Sequence, residues 1–198
     1  GDSLGDHGLM VKGVALYEPG INVPLIMRWP GRVPAGATSD AMAQAHDVAR
    51  TCFAAAGIDV PRDGTFDSGL DLIALANGNG TERDVAVTAY RNSGINSENA
   101  YWDPPMKATA VRSKAHKLIA YTSGESVEYE FFDLVADRKE SINRFGDPAY
   151  ADATIALFQE LGGWLQREAG LAGSRAGDWF PDSDSFMENA IKGLQQRQ

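Results

Sequence analysis

Residues 108–134, ATAVRSKAHKLIAYTSGESVEYEFFDL, carry the pattern that decides the fold of the second half of this chain. Apolar and polar side chains alternate on both sides of Thr122-Ser123-Gly124, and a period of two is typical of β-strands with one buried face. A short segment containing Ser and Gly between two such runs predicts a β-hairpin. The stretch therefore predicts a small antiparallel sheet.

A helix is predicted downstream of this hairpin, at about residues 151–168, after a charged turn at residues 137–140 in which Arg138 and Lys139 are expected to be solvated. Its apolar residues lie on one face of a helix with 3.6 residues per turn; they are Leu157, Phe158, Leu161, Trp164 and Leu165. We interpret this stripe as the surface that packs against the sheet and not as a cofactor site.

Upstream of the hairpin, the pattern predicts part of a layered α/β structure. The apolar run Val23–Met27 predicts a short strand, and Pro24 within it favours the first residue or an edge position of that strand. AHDVARTCFAAAGIDVP (45–61) predicts a helix with Asp47 as its N-cap and Gly57 at its end. RDVAVTAY (83–90) predicts a further strand. The expected fold class is α/β, with a sheet-and-helix layer followed by a small antiparallel sheet and a C-terminal helix.

The composition is that of an ordinary soluble globular protein, with 198 residues, 43% hydrophobic and 23% charged. The net charge of −9 argues against a nucleic-acid or anionic-membrane partner, because both require a basic surface. No apolar run approaches the length of a membrane span. Cys52 is the single cysteine, so the chain has no internal disulfide, and we expect this thiol to be buried within its helix.

The densest polar cluster lies in the first twenty residues, GDSLGDHGLMVKGVALYEPG, which contain five glycines. So many glycines predict a loop, and functional sites are frequently built on loops. His7 and Lys12 are its candidate site residues. Asp2 and Asp6 are expected to cap turns, and no metal site is predicted within this chain.

Four segments, taken in order, resemble the C-terminal half of the type I sulfatases in the alkaline-phosphatase-like superfamily. The first, GDSLGDHGLMVKG (1–13), is similar to the family's G-x-x-L-G-[DE]-H-G loop, which runs on to a lysine. The others are YEPGINVPLIMRWPGRVPAG (17–36), AHDVARTCFAAAGIDVP (45–61) and HKLIAYTSGE…YEFFDLVADRKES (116–141). Arg138 stands where the family usually has proline.

The resemblance implies roles for two residues of the loop. Lys12 would be catalytic and substrate-binding, because its ammonium would contact the sulfate and its bridging oxygen and stabilise the charge that builds there. His7 would be substrate-binding through its effect on the shape of the loop beneath the site.

The resemblance also implies a longer enzyme. Its nucleophile, a cysteine or serine in C-x-P/A-S-R converted to formylglycine, and its metal-binding Asp-His pair would precede Gly1. The complete sulfatase would hold a divalent cation, usually calcium, and hydrolyse a sulfated small molecule or sugar. This chain alone is expected to be inactive and to bind no cation. Residues 1–90 would complete the catalytic α/β domain, and residues 91–198 would form the C-terminal subdomain.

Several further residues carry weaker expectations. Glu18 is expected to bind backbone amides of the following turn, and Asn22 stands where the family commonly has an arginine. His46 and His116 are expected on the surface or in a satisfied core. Candidates for specificity contacts lie before the hairpin; they are Arg91, Trp102 and Asp103.

Two other functions stay open on the sequence alone. A phosphonate or phosphate ester hydrolase of the same superfamily would use the lysine equally well on a phosphoryl oxygen. A non-catalytic interaction module would pair through an exposed sheet edge. The sequence does not decide which sulfate ester is cleaved, the oligomeric state or the compartment.

Overall fold

The computed structural model describes residues 1–10, 12–60, 68–91, 106–123 and 126–173. The helices are α1 (Glu18–Ile21), α2 (Ala45–Ala56), α3 (Leu72–Ala76) and α4 (Ala151–Gly173), and the strands are β1 (Ala86–Arg91), β2 (Met106–Arg112), β3 (His116–Ser123) and β4 (Ser126–Asp133). Short 3-10 turns lie at Asp6–Gly8 and Pro148–Tyr150. Within this part of the chain, residues 1–23 form one compact unit with residues 87 onward, and residues 24–86 form another.

The first unit is built on a four-stranded sheet in which each strand lies beside its neighbour in sequence. Strand β3 pairs antiparallel with both β2 and β4, so the predicted hairpin is confirmed. The alternating run before it is two strands, separated by a turn at residues 113–115 that the pattern does not reveal. The Ser113 hydroxyl accepts the backbone N–H groups of Ala115 and His116 there, so the chain turns without a glycine or proline.

Helix α4 packs against β2 and β3 through its apolar stripe, as predicted. Leu157, Phe158, Leu161 and Leu165 are buried, and Trp164 is half-buried. Burial of each of these large side chains contributes about 1.5–3 kcal/mol, so packing accounts for the position of the helix. The helix extends past the predicted end at residue 168.

The other face of the sheet is covered by the segment that follows the first loop. Tyr129 meets Phe158 of α4, so Glu130 and Phe132, at alternate positions of β4, face away from that helix. Leu16 packs on this second face. Its buried neighbours in the cluster are Ala108, Ala110, Ile119, Phe132 and Leu134. Residues 14–21 are thereby placed against the sheet.

The second unit contains α2 and α3, and here one predicted cap is wrong in detail. Gln44 is the N-cap of α2, and Asp47 is the third helical residue, whose carboxylate accepts the Gln44 N–H at 2.6 Å. The two residues form a capping box, so the carboxylate acts from one turn inside the helix. Gly57 ends the helix as predicted, with φ of 67°.

Two other expectations, for residues 23–27 and for Cys52, are wrong. Residues 23–27 form no strand, and the side chains of Val23, Leu25 and Ile26 are exposed, because no described strand lies alongside to form a ladder with them. Cys52 is exposed. The buried positions of α2 are Asp47 and Thr51, one turn apart, and Cys52 lies outside the surface that they define.

The expected fold class is confirmed in its main lines: a mixed α/β chain with a four-stranded antiparallel sheet and a C-terminal helix. The two compact units describe this chain by itself. The predicted domain boundary at residue 90 concerns a longer enzyme and stays a prediction. Among the described residues, no helix has the length and apolar character to cross a membrane.

Candidate functional site

The glycine-rich loop at residues 1–13 adopts a compact backbone conformation. Leu4, Gly5, His7 and Gly8 all have positive φ, with values of 49°, 104°, 52° and 71°. The Gly5 N–H bonds to the Leu9 carbonyl at 2.7 Å. Positive φ at a residue other than glycine costs about 1–3 kcal/mol, so surrounding contacts must hold this shape.

One of these contacts joins the two ends of the loop. The backbone N–H of Lys12 donates to Oδ1 of Asp2 at 3.1 Å. Asp2 therefore binds backbone, in line with the expectation that it caps a turn. The Lys12 side chain is exposed, and no ion pair to another described residue restrains its ammonium.

His7 lies against Tyr17, which is followed by Glu18 in the chain. The two rings are stacked, with centroids 3.9 Å apart and an interplanar angle of 14°. Tyr17 in turn meets Phe132 of the sheet edge-on, with centroids 5.9 Å apart. The turn that carries His7 is thus connected to the sheet through two aromatic contacts.

A pocket of about 460 Å³ opens between this loop and the sheet. His7 and Tyr17 line it on the loop side, and Tyr121, Ser123, Glu128 and Glu130 line it on the sheet side. Aromatic rings beside carboxylates and hydroxyls are groups that can contact the apolar and polar parts of a polar organic molecule.

Glu130 is hydrogen-bonded to two of the tyrosines that line the pocket. Its carboxylate accepts the hydroxyl hydrogens of Tyr17, at 3.0 Å, and of Tyr121, also at 3.0 Å. Burial and the negative charge of Glu130 raise the pKa of Tyr17 to about 12 and that of Tyr121 further still. Both phenols are therefore neutral hydrogen-bond donors across the physiological pH range.

Glu18 departs from its expected role. Its carboxylate binds side chains and not backbone amides: Arg112 Nε at 3.0 Å, Lys117 Nζ at 2.8 Å and Asn22 Nδ2 at 3.0 Å. Burial alone would raise the pKa of Glu18, but the hydrogen bonds and charges of Lys117 and Arg112 outweigh that effect and lower it. Asn22, at the position of the family's arginine, is a neutral partner of this carboxylate.

Lys117 and Glu140 complete this group, and the sequence analysis did not identify either residue. The Lys117 side chain is fully buried, and its ammonium lies 2.5 Å from Glu140 Oε1. The other oxygen of Glu140 accepts the backbone N–H of Glu18 at 2.6 Å. Glu18, Arg112, Lys117 and Glu140 are called the buried ion cluster below. One signal in the sequence could have identified Lys117: it occupies a position of the alternating strand where an apolar, core-facing side chain is expected.

The remaining candidates lie apart from this region or outside the described residues. His46 is half-buried with Nε2 3.5 Å from Asp47 Oδ1, and His116 packs on Phe131 with centroids 5.4 Å apart. Both are packed residues, but the buried Nε2 of His46 has no hydrogen-bond partner among the described residues, so His46 is not satisfied as expected. Arg91 is the last residue of β1. Trp102 and Asp103 lie outside the described residues.

Among the residues that the structure describes, no group of three His, Cys, Asp or Glu side chains is arranged to hold a metal ion. Asp2, Asp6 and His7 of the loop do not converge on one point in that sense. The described residues therefore do not by themselves fit a metal site.

Comparisons with known proteins agree with the arrangement of the loop and sheet. Residues 5–167 match the family model of the N-sulphoglucosamine sulphohydrolase C-terminal region. An N-acetylglucosamine-6-O-sulfatase of Bacteroides thetaiotaomicron is 32% identical over 164 residues, which are 80% of this chain and 27% of that protein. Arylsulfatase K of Mus musculus is 29% identical over 162 residues, 79% of this chain and 28% of that protein.

Solved structures of sulfatases also superpose on this chain. The structure of a protein in complex with its substrate D-glucosamine-2-N,6-O-disulfate superposes with a TM-score of 0.68 at 28% identity, covering 83% of this chain and 32% of that one. A 2-O glycosaminoglycan sulfatase superposes with a TM-score of 0.70 at 22% identity, over 92% of this chain and 38% of that one, which shows the shared fold. These neighbours have the alkaline-phosphatase-like fold.

The chain spans between a quarter and a third of the length of the curated relatives described here, 27% of one and 28% of the other. The family match covers residues 5–13 of the glycine-rich loop, which is called the Lys12 loop from here on. It also covers Tyr17 and Glu18, the sheet and most of α4. The chain therefore belongs to the N-sulphoglucosamine sulphohydrolase C-terminal family of the sulfatases.

Proposed function

We propose that this chain is the C-terminal part of a sulfatase that hydrolyses sulfate monoesters, and that it supplies the lysine that contacts the sulfate. The family match over residues 5–167 is the observation that carries this proposal. The curated relatives are sulfatases of which this chain would be about the last third or less. This family membership favours a sulfate ester over the phosphonate or phosphate ester of the alternative function.

Lys12 is proposed as the catalytic residue that this chain contributes. Cleavage of the S–O bond builds negative charge on the departing oxygen and on the sulfuryl oxygens, and a fixed ammonium beside them lowers the barrier. Two features support the role: the Lys12 backbone is bonded to Asp2, and the ammonium is not engaged by a carboxylate in the described part of the chain.

The substrate is proposed to be a sulfated sugar, with His7 on the wall of its site. One relative is named for sulfated N-acetylglucosamine, and one structural neighbour holds a disulfated glucosamine. The pocket beside the loop supports this choice, because it offers the stacked rings of His7 and Tyr17 together with the carboxylate of Glu128. Aromatic faces and carboxylates are groups suited to the faces and hydroxyls of a sugar ring.

The nucleophile, a formylglycine, and a divalent cation, calcium by resemblance, are proposed to be held by residues outside this chain. The isolated chain is accordingly proposed to be catalytically inactive. Its other partner would be the N-terminal half of the same enzyme.

The test is sulfate release by the complete protein that contains this chain, with N-acetylglucosamine-6-sulfate and an aryl sulfate as substrates. Lys12→Ala should lower kcat by about 100-fold or more, the magnitude found when one charge-stabilising donor is removed. Lys139→Ala is the matched control, since Lys139 is an exposed lysine in the turn after β4. Undiminished activity in Lys12→Ala, or turnover by the isolated chain, would contradict the proposal. Faster hydrolysis of a phosphonate monoester would favour the alternative.

A further inference from the structure

We propose that Lys117 and Glu140 are positioning residues that hold the Lys12 loop in one place on the sheet. This inference rests on the proposed function of Lys12. Neither residue is proposed to touch the substrate, because each is buried within the ion cluster and occupied by partners there. Their effect on catalysis would pass through the backbone that follows Lys12.

The first argument is which groups surround the Lys117 ammonium. It donates a hydrogen bond to the Leu16 carbonyl at 3.2 Å and forms ion pairs with Glu18 Oε1 at 2.8 Å and Glu140 Oε1 at 2.5 Å. Two of these three partners belong to the segment that leaves the Lys12 loop. A residue of the central strand β3 thus fixes both a backbone carbonyl and a side chain of that segment.

Glu140 contacts the same segment through a backbone amide. Its Oε2 accepts the Glu18 N–H at 2.6 Å, and its Oε1 meets Lys117. Glu140 is 2% exposed and has φ of 55°, a left-handed conformation that costs a residue other than glycine about 1–3 kcal/mol. A strained, buried acid that bonds one amide of this segment is in keeping with a role in placing it.

The energetics also favour positioning over simple stabilisation. A buried ion pair contributes little net stability relative to well-packed apolar residues, because both charges lose their hydration. What it contributes is direction, since the Lys117 ammonium must lie beside two carboxylates and the Glu18 N–H must point at Glu140 Oε2. With Arg112 paired to Glu18 as well, two cations and two anions balance, so the cluster adds no net charge near a sulfate.

Apolar contacts alone would not fix the segment in this way. Leu16 packs among Ala108, Ala110 and Ile119, which present a surface of small and branched side chains with no directional partner. A shift of the segment along that surface would preserve much of the buried area. The same shift would break the contacts of Lys117 and Glu140, together with the Tyr17–Glu130 hydrogen bond and the Arg112–Glu18 pair. Lys117 and Glu140 are the buried members of this set, and we assign them the larger share in fixing the register of residues 14–21 and, with it, the place of Lys12.

Hydrogen exchange on this chain tests the structural half of the inference. The Gly20, Ile21 and Asn22 amides are bonded within α1 to the carbonyls of Tyr17 and Glu18. In Glu140→Gln these amides should exchange at least about tenfold faster, which corresponds to about 1.4 kcal/mol, while the β3 amides keep their wild-type rates. The control is Glu160→Gln, on the exposed side of α4. Unchanged exchange at these three amides would contradict the inference.

Kinetics of the complete protein test the functional half. Glu140→Gln and Lys117→Met should lower kcat by about tenfold or more and change KM by less than about threefold, since only the placement of a transition-state contact is lost. Lys139→Met is the control. Glu140→Gln retains an oxygen for the Glu18 N–H, so it should keep more activity than Glu140→Ala; equal activities would contradict positioning through that bond.

The two proposals fail in different ways. If Lys12→Ala keeps full kcat, the proposed function fails. If Lys12→Ala loses activity, while Glu140→Gln loosens residues 18–22 and keeps full kcat, the positioning role fails and the function stands. Lys117→Met leaves two buried carboxylates without their lysine; if it does not fold, Glu140→Gln alone decides between these results.

Discussion

Replacement of Arg83 by methionine should destabilise the unit formed by residues 24–86 more than most single changes in it. Asp47 is fully buried, and the Arg83 guanidinium binds both of its oxygens, at 2.8 Å and 2.5 Å. Methionine fills similar space without the charge. The carboxylate would keep the N–H groups of Gln44 and Leu70, which are neutral donors.

The magnitude follows from the charge left behind. Removal of one partner from a buried ion pair costs about 3–5 kcal/mol, because the other charge stays buried without compensation. That corresponds to an increase of about 150- to 5,000-fold in the opened population. The two remaining backbone bonds to Asp47 place the expectation toward the lower end of the range. Asp47→Asn added to Arg83→Met should recover part of the loss, because the asparagine carries no charge.

Hydrogen exchange at the amides of α2, measured across a urea series, gives the free energy of opening for this unit by itself. Arg28→Met is the matched control, because Arg28 is an exposed arginine of the same unit. A loss below about 1 kcal/mol, or one equal to that of Arg28→Met, would refute the argument that this pair holds the unit together.

Three further changes test other parts of the structure. Leu161→Ala, at a fully buried position of α4, should lower the free energy of unfolding by about 2–5 kcal/mol in urea, whereas Ile155→Ala, 47% exposed, should cost under about 1; equal losses would contradict the packing of the helix. Cys52 should react with iodoacetamide at nearly the same rate in buffer as in denaturant, and strong protection in buffer would show a buried thiol. The lowered pKa of Glu18 contributes stability that is present above its unfolded value of 4.5 and is lost as the pH falls through the folded value. Glu18→Gln should therefore flatten the acid side of the stability curve, and an unchanged slope would contradict this.

Local sequence patterns were sufficient to predict the elements that bury one face against another part of the chain. The hairpin of β3 and β4 and the apolar face of α4 follow from side-chain periodicity, because each buries one face against a neighbouring segment. The turn between β2 and β3 was missed because Ser113 replaces the usual glycine or proline signal with side-chain hydrogen bonds. The strand predicted at residues 23–27 depends on a partner strand, which sequence periodicity does not supply.

The residues of the candidate site could be predicted from the sequence only in part, because some of them are brought together by segments that lie far apart in the chain. His7 and Lys12 stand in a loop whose glycines and polar residues mark it as unusual. Lys117 and Glu140 became visible only in three dimensions, because a lysine in a strand and a glutamate in a charged turn are ordinarily exposed. Their burial depends on Glu18, which lies far from both in sequence. Resemblance to a family is the basis on which Lys12 is proposed, and geometry is the basis on which Lys117 and Glu140 are proposed to hold its segment.

The most direct measurement is a crystal structure of the complete protein with a slowly hydrolysed sulfate ester bound. The account predicts that the ammonium nitrogen of Lys12 lies at hydrogen-bond distance, about 2.7–3.2 Å, from an oxygen of the sulfate group, with residues 14–21 against the sheet as described. A sulfate group bound elsewhere, with the Lys12 ammonium in solvent, would contradict it.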